Sequence, residues 1–325
     1  MKLLSELWFD TNDMFDTEAY LFAARENFWN GIKSDMEFDH SLSGYTTVLN
    51  CNKNNYPWKQ SIQSLLGFCD EVCVADGGST DGTWEDLKEW AEKEEKLVIY
   101  QNVIDLDDPR FAVKSDGLLK SLARSMCTKE FCWQMDCDEI VHEDDYEKVR
   151  SLCKQFQSGL DLIAMPVIEY WGGREKVRAD INPWKWRISR NKSYITHGPP
   201  ANLRKYDENG ELYCAKGTDS CDYIRNDNYQ PVQFGTFYTE DVHKCRIAAL
   251  QGDENALKQY ETWFNHMTEM LPSVHHFSWW DMERKIKNTR DHWSKFWGSM
   301  YNDPVDDTPE NNNICFTLLQ RREKY

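Results

Sequence analysis

From residue 45 to residue 102 the apolar positions fall into two alternating rhythms. "YTTVLN" (45–50), "EVCVAD" (71–76) and "LVIYQN" (97–102) are short apolar runs that read as strands. Between them, "WKQSIQSLLGF" and "TWEDLKEWAEKEEK" carry apolar residues at helical spacing. Strand, helix, strand, helix, strand predicts an α/β fold on a mainly parallel, doubly wound sheet. Another helix, about 113–125, leads into an apolar segment at 131–135, and "YEKVRSLCKQF" supplies the next helix. Past "DLIAMPV" (161–167) the pattern loosens into Gly, Pro, Asn and aromatic residues as far as about 240, as expected of loops and short strands on a variable side. Helical periodicity returns from about Ile247, and residues 1–43 read as a helical extension. The simplest architecture is a central domain at 44–246, divided near 156, with helical ends at 1–43 and 247–325.

Charge and cysteine content narrow the class. A formal net charge of -17 over 325 residues argues against a general nucleic-acid binder, which needs a basic face for phosphates. It also repels anionic ligands, so a phosphate would need a bound cation or a local basic cluster. No apolar run approaches the roughly 20 residues of a membrane span, and Glu6 and Asp10 interrupt any signal-peptide core. The 11 cysteines include no CxxC pair, which disfavours a zinc knuckle and suggests thiols in a reducing compartment. A cytoplasmic protein without a transmembrane segment is expected.

Two stretches carry the chemistry. The turn "ADGGSTDGT" follows the second strand and opens a helix; its glycines allow close backbone approach to a ligand, and Thr80, Asp81 and Thr83 suit a helix start. It is neither a Walker loop nor GxGxxG, and a well-capped turn is the plain alternative. The second stretch is "WQMDCDE", where Asp136 and Asp138 leave the C-terminal end of a buried strand, the edge at which open α/β sheets bind ligands. If the chain stays extended across Cys137, both carboxylates point to one side. Mg²⁺ or Mn²⁺ takes such oxygens together with phosphate oxygens and water. The acids at 143–145 read as a helix start.

"VLNCNKNNYPWKQSIQSLLGFCDEVCVADGGSTDGT", followed some sixty residues later by "WQMDCDE", resembles the nucleotide-sugar half of family 2 glycosyltransferases with the GT-A fold. The resemblance covers about 44–156 and is patchy beyond. It implies that Asp136 and Asp138 are the DxD pair holding a divalent metal on the donor diphosphate, that Asp76 contacts the nucleoside, and that Asn50 and Lys120 lie near the donor. The family often has a second acid where this chain has Gly77, which leaves a UDP- or a GDP-sugar open. "PWKWRISRNKSYITHGPP" resembles the acceptor side of lipopolysaccharide-core and related enzymes and would put His197 in the cleft. "LPSVHHFSWWDMERKIKNTRDHW" resembles the segment in which a histidine, here His276, completes the metal site and a helical lysine, here Lys285, reaches the diphosphate.

The reaction so implied moves a sugar to an acceptor hydroxyl of a glycan or glycoconjugate, with inversion. A general base must then take the hydroxyl proton. Asp222 and Asp219 in "KGTDSCDY", or Asp241 in "YTEDVHKCR", are the candidates. The aromatic residues from Trp263 to Trp297 fit a core or a contact between subunits, and Trp171, beside Gly172 and Gly173, is a candidate for stacking on an acceptor sugar. A sugar nucleotidyltransferase is disfavoured because "NCNKNN" is not a Gly-rich phosphate loop. A silent carbohydrate-binding or scaffold protein of the same fold is the third reading.

Overall fold

The computed structural model describes residues 40–105, 119–155, 162–179, 183–192, 195–196, 204–206, 212–214, 224–225, 240–288 and 315–317. In chain order the elements are β1 (Leu42–Val48), α1 (Trp58–Phe68), β2 (Glu71–Asp76), α2 (Thr83–Ala91), β3 (Leu97–Gln101), α3 (Lys120–Ser125), β4 (Phe131–Gln134), β5 (Glu139–Val141) and α4 (Tyr146–Leu152). They continue with β6 (Leu162–Trp171), β7 (Lys176–Arg178), β8 (Trp184–Arg190), β9 (Ile195–Thr196), β10 (Arg204–Tyr206), β11 (Leu212–Cys214) and β12 (Ile224–Arg225). The last are α5 (Glu240–Leu250), α6 (Glu254–Met270), β13 (Val274–Trp279), α7 (Met282–Asn288) and β14 (Cys315–Thr317).

One ten-stranded sheet runs β14-β7-β6-β8-β4-β1-β2-β3, with β5 and β13 joined alongside β6. From β3 to β4 every pair is parallel. The chain moves outward from β1 to β3 and then returns to the other side of β1 as β4, so the order reverses between β1 and β4. Ligands of open α/β sheets bind in the crevice at that reversal. The expected mainly parallel sheet is mixed, because β8 runs antiparallel to both β4 and β6. Among the described strands of this sheet, only β6 and β7, four residues apart, form an antiparallel pair through a short connection, whereas parallel pairing needs a long crossover.

Every residue of β2 is buried, as expected of a strand covered on both faces. Glu71 is tolerated there because the Ser43 hydroxyl and the Thr128 backbone and hydroxyl all donate to its carboxylate. α1 turns Trp58, Ile62, Leu65 and Leu66 inward, the helical stripe visible in the sequence. Gly67 lets this helix lie against Tyr146 of α4; a Cβ there would overlap the tyrosine ring.

Helix returns at Glu240, earlier than the periodicity suggested. The segment from 247 is also more than a helical extension, because β13 enters the sheet between β5 and β6. "VHHFSW" sits with four of six residues buried, and two strand partners outweigh the helical pattern around it. No helix among the described residues is long and apolar enough to cross a membrane.

Candidate active site at the end of β4

The chain does not stay extended across Cys137. Glu139 N–H donates to the Asp136 carbonyl at 3.0 Å, closing a turn, and the Asp136 N–H donates to the Glu139 carboxylate at 2.9 Å. From α1, Ser61 donates to the Asp136 carbonyl at 3.1 Å and pins the turn to the helix. The two aspartates therefore face different partners, contrary to the same-side arrangement that an extended segment would give.

Asp136 lies in a basic, largely local cluster. Lys120 Nζ, from α3, is 2.8 Å from its Oδ1, and Lys185 Nζ, from β8, is 3.7 Å from its Oδ2. Gln134 donates to the same Oδ1 at 2.9 Å. Arg187 and Glu139, both fully buried, pair at 2.6 Å, and Lys185 reaches Glu139 at 3.1 Å. Burial opposes the charge on Asp136, but Lys120, Lys185 and Arg187 hold its carboxyl well below the usual carboxylate range. Its side chain remains 25% exposed, so a ligand could reach it.

Asp138 is met from the far end of the chain. Its carbonyl accepts from Phe277 N–H at 2.8 Å, which brings β13 onto the turn. His276 Nε2 then stands 3.3 Å from Asp138 Oδ1, while His276 Nδ1 bonds to Glu169 of β6. Burial works against both charges, yet His276 brings the Asp138 carboxyl down to about 2. Glu169 and Asp138 likewise outweigh burial at His276 and raise it to about 10. The neighbouring His275 is fully buried and bonds to the Tyr170 hydroxyl at 2.7 Å, a packing role. Lys285 of α7 donates to Ser278 Oγ at 2.6 Å and lies 5.3 Å from the Trp279 ring centre; burial lowers its pKa, opposed by Asp138 and Glu169.

The turn after β2 is self-contained. The Oδ1 of Asp76 accepts from Gly78 N–H and Ser79 N–H, each at 2.9 Å, and from Gln101 at 2.8 Å, while Ser79 Oγ donates to Oδ2. Asp76 is fully buried, so it shapes this turn from within. Gly78 has φ 97°, a backbone region that a side chain would strain. Asn50, with φ 48°, ties the end of β1 to the same turn: its N–H donates to Ser79 Oγ at 2.8 Å and its Oδ1 accepts from Thr80 N–H at 2.9 Å.

The remaining candidates separate. Trp171 is half-buried, paired with Trp279 at 4.9 Å between ring centres and covered by Arg178 at 5.0 Å. Asp241 is half-buried in the first turn of α5, a helix that meets the sheet through Arg246, which donates to the Ala179 carbonyl at 2.6 Å just past β7. His197, Asp219 and Asp222 lie outside the described residues. Sequence reasoning missed Glu139, Glu169, Lys185 and Arg187. Their signals were present: an acid directly after "DCD", a lone acid inside "MPVIEYW", and Lys185 and Arg187 two apart on one face of "WKWRISR".

Several side chains here could offer ligand atoms to a divalent ion. Asp136, Glu139 and His276 each offer one ligand atom within 4.8 Å of the others. Glu139, however, is already paired with a fully buried arginine and would have to give up that pair. Asp138 and His276 fit better. Adjacent ligands on an octahedral ion with bonds of about 2.1 Å stand about 3 Å apart, close to the 3.3 Å found here. A carboxylate on the opposite ring nitrogen, as Glu169 provides, is the usual support of a metal-binding histidine.

A sheet that reverses order between β1 and β4, with helices packed between its parallel strands, is the mixed α/β arrangement of the GT-A type. Residues 59–197 match the family model described as Glycosyl transferase family 2, so that stretch is a glycosyltransferase domain. No curated protein matches the chain. Among solved structures it is similar to S. aureus TarS 1–349 in complex with UDP-GlcNAc, at 16% identity and a TM-score of 0.35 over 78% of this chain and 81% of that one. It is also similar to the mannosyltransferase PcManGT from Pyrobaculum calidifontis in complex with GDP-Man and Mn²⁺, at 11% identity and a TM-score of 0.34 over 82% and 81%. At such scores these stand as likenesses only.

Proposed function

We propose that the protein transfers a sugar from a nucleoside-diphosphate donor to an acceptor hydroxyl of a glycan or glycoconjugate, with Mn²⁺ or Mg²⁺ bound by Asp138 and His276. The observation that carries this reading is the meeting of those two side chains just past the C-terminal end of β4, the strand next to β1 at which the strand order reverses. When bound, the cation would neutralise charge on the departing diphosphate. Lys285 supplies a second positive charge beside Asp138. Asp136, held by Lys120, is positioned for the ribose and diphosphate side of the donor. Asn50 and the turn that Asp76 shapes form the wall for the nucleoside, uridine or guanosine. The acceptor oxygen bonds to the anomeric carbon as the bond from that carbon to the diphosphate breaks, with inversion, and its proton passes to Asp222, Asp219 or Asp241. His197 and Trp171 belong to the acceptor side.

The test is release of nucleoside diphosphate from UDP-GlcNAc and GDP-mannose, with Mn²⁺ or with EDTA, by wild type and Asp138→Ala. Release that EDTA and the substitution both abolish supports the reading. Release indifferent to EDTA removes the metal from it. Pyrophosphate in place of a nucleoside diphosphate would identify a nucleotidyltransferase, and neither turnover nor nucleotide binding would identify a silent scaffold.

A further inference from the structure

His276 sits in the middle of a row drawn across three strands. In the β13–β5 pair it is opposite Glu139, and in the β13–β6 pair it is opposite Glu169. Glu139 is held by Arg187 and Lys185, and its nearest approach to His276 Nδ1 is 4.0 Å. Glu169 is 96% hidden from solvent, being 4% exposed, and its Oε2 bonds to that same nitrogen. Its other oxygen, Oε1, is buried and has no hydrogen-bond partner among the described residues.

A carboxylate in this state is costly for a fold, because a buried acceptor left unsatisfied forfeits its hydration. Packing alone would be served as well by an apolar residue in the run "MPVIEYW". The hydrogen bond Glu169 does make is directional: it engages the ring nitrogen opposite the one that faces Asp138. The next residue of β6, Tyr170, holds His275 through a neutral hydroxyl. Two adjacent histidines thus receive two different partners from two adjacent residues, and the charged partner goes to the histidine at the acidic turn.

We propose that Glu169 is the positioning residue for His276, fixing the ring so that Nε2 is presented beside Asp138 as a ready ligand for the cation. This rests on the metal-dependent reading above. Accepting the Nδ1 proton selects the tautomer whose Nε2 lone pair is free to coordinate, and the carboxylate makes that nitrogen a better donor. Glu169 itself touches neither metal nor donor.

The experiment is Mn²⁺ binding, read from the electron paramagnetic resonance signal of the free ion, in the presence of saturating UDP and separately of GDP. Wild type, Glu169→Ala, Glu169→Gln and Tyr170→Phe are compared, each with its metal-free denaturation midpoint. Loss of an outer-shell partner of this kind weakens metal affinity by about 10- to 100-fold. That loss is expected for Glu169→Ala, with Glu169→Gln intermediate because its amide oxygen can still accept, and Tyr170→Phe equal to wild type. Equal affinities in wild type and Glu169→Ala would overturn the assignment while leaving the metal site standing. A comparable loss in Tyr170→Phe would also overturn it, by showing general softening of β6. Wild type that takes up no Mn²⁺ with either nucleotide would overturn the metal reading and this inference with it. Should Glu169→Ala fail to fold, Glu169→Gln decides alone, since unchanged affinity there removes the need for a carboxylate.

Discussion

Asp136 and Asp138 are separated by one cysteine, yet they occupy different chemical worlds. Asp136 looks into a basic cluster made by nearby strands and helices, with Lys120, Lys185 and Arg187 balancing Asp136 and Glu139. Asp138 looks toward the distant β13, where its partner is a histidine that is itself backed by a carboxylate. The tight turn at Cys137 separates them. One side is balanced by fixed cations that cannot leave. The other is balanced chiefly by His276, a titratable partner. A short acidic motif is thus divided between two electrostatic surroundings.

Perturbing each side should produce different kinds of damage. The largest effect is expected from Arg187→Met, which leaves the fully buried Glu139 short of its main partner; breaking such a pair costs about 3–5 kcal/mol. Urea denaturation would show this, and an unchanged midpoint would mean that Lys185 alone suffices. Next comes Asp138→Ala, for which turnover should fall by about 10²- to 10³-fold, the range for losing one electrostatic contact to developing charge. Its denaturation midpoint should stay near that of wild type, because Glu169 still partners His276.

A pH series distinguishes the titratable partner from the fixed cations. In metal-free protein His276 is raised to about 10, against about 6.5 when unfolded. Its ion pairs therefore stabilise the fold in full below about pH 6.5. That stabilisation is lost as pH rises through about 10. Denaturation midpoints in EDTA should fall across that window in wild type and much less in His276→Gln. The smallest effect is expected at Lys59, whose pair with Asp86 lies on the surface with side chains 53% and 40% exposed. Exposed pairs contribute little, so Lys59→Ala should move the midpoint least of these changes and calibrate the others.

The parallel half of the sheet was legible because central strands must be continuously apolar and the helices between them must be striped. "EVCVAD" became β2 residue for residue, and "WKQSIQSLLGF" became α1. Asp136, Asp138 and His276 could be marked through a motif and its position. Their surroundings were harder, because Lys185 and Arg187 reach Asp136 and Glu139 only when β8 pairs antiparallel with β4, and nothing local announces that pairing. The turn at Cys137 depends on a Glu139 contact that an extended reading of "DCD" overlooks. Asp76 shows the reverse limit: an acid that the sequence marked for a ligand has its oxygens engaged by donors of its own turn and of β3. Sequence shows which groups are present, but not which of them the fold has already satisfied.

The insertion of β13 between β5 and β6 also sets the order in which the protein can be completed during synthesis. A ribosome adds residues from the N-terminus, and domains tend to form as their sequence emerges. β1 to β8 are all available long before residue 274, so the parallel half with its basic cluster can assemble first. Until β13 arrives, β5 and the facing edge of β6 have open hydrogen-bonding groups, the feature that makes sheet edges prone to unwanted pairing. Arrival of the late strand closes those edges and delivers His276 to Asp138 in one step. A nascent chain is therefore at its most vulnerable before His276 meets Asp138, and the same pairing ends both conditions.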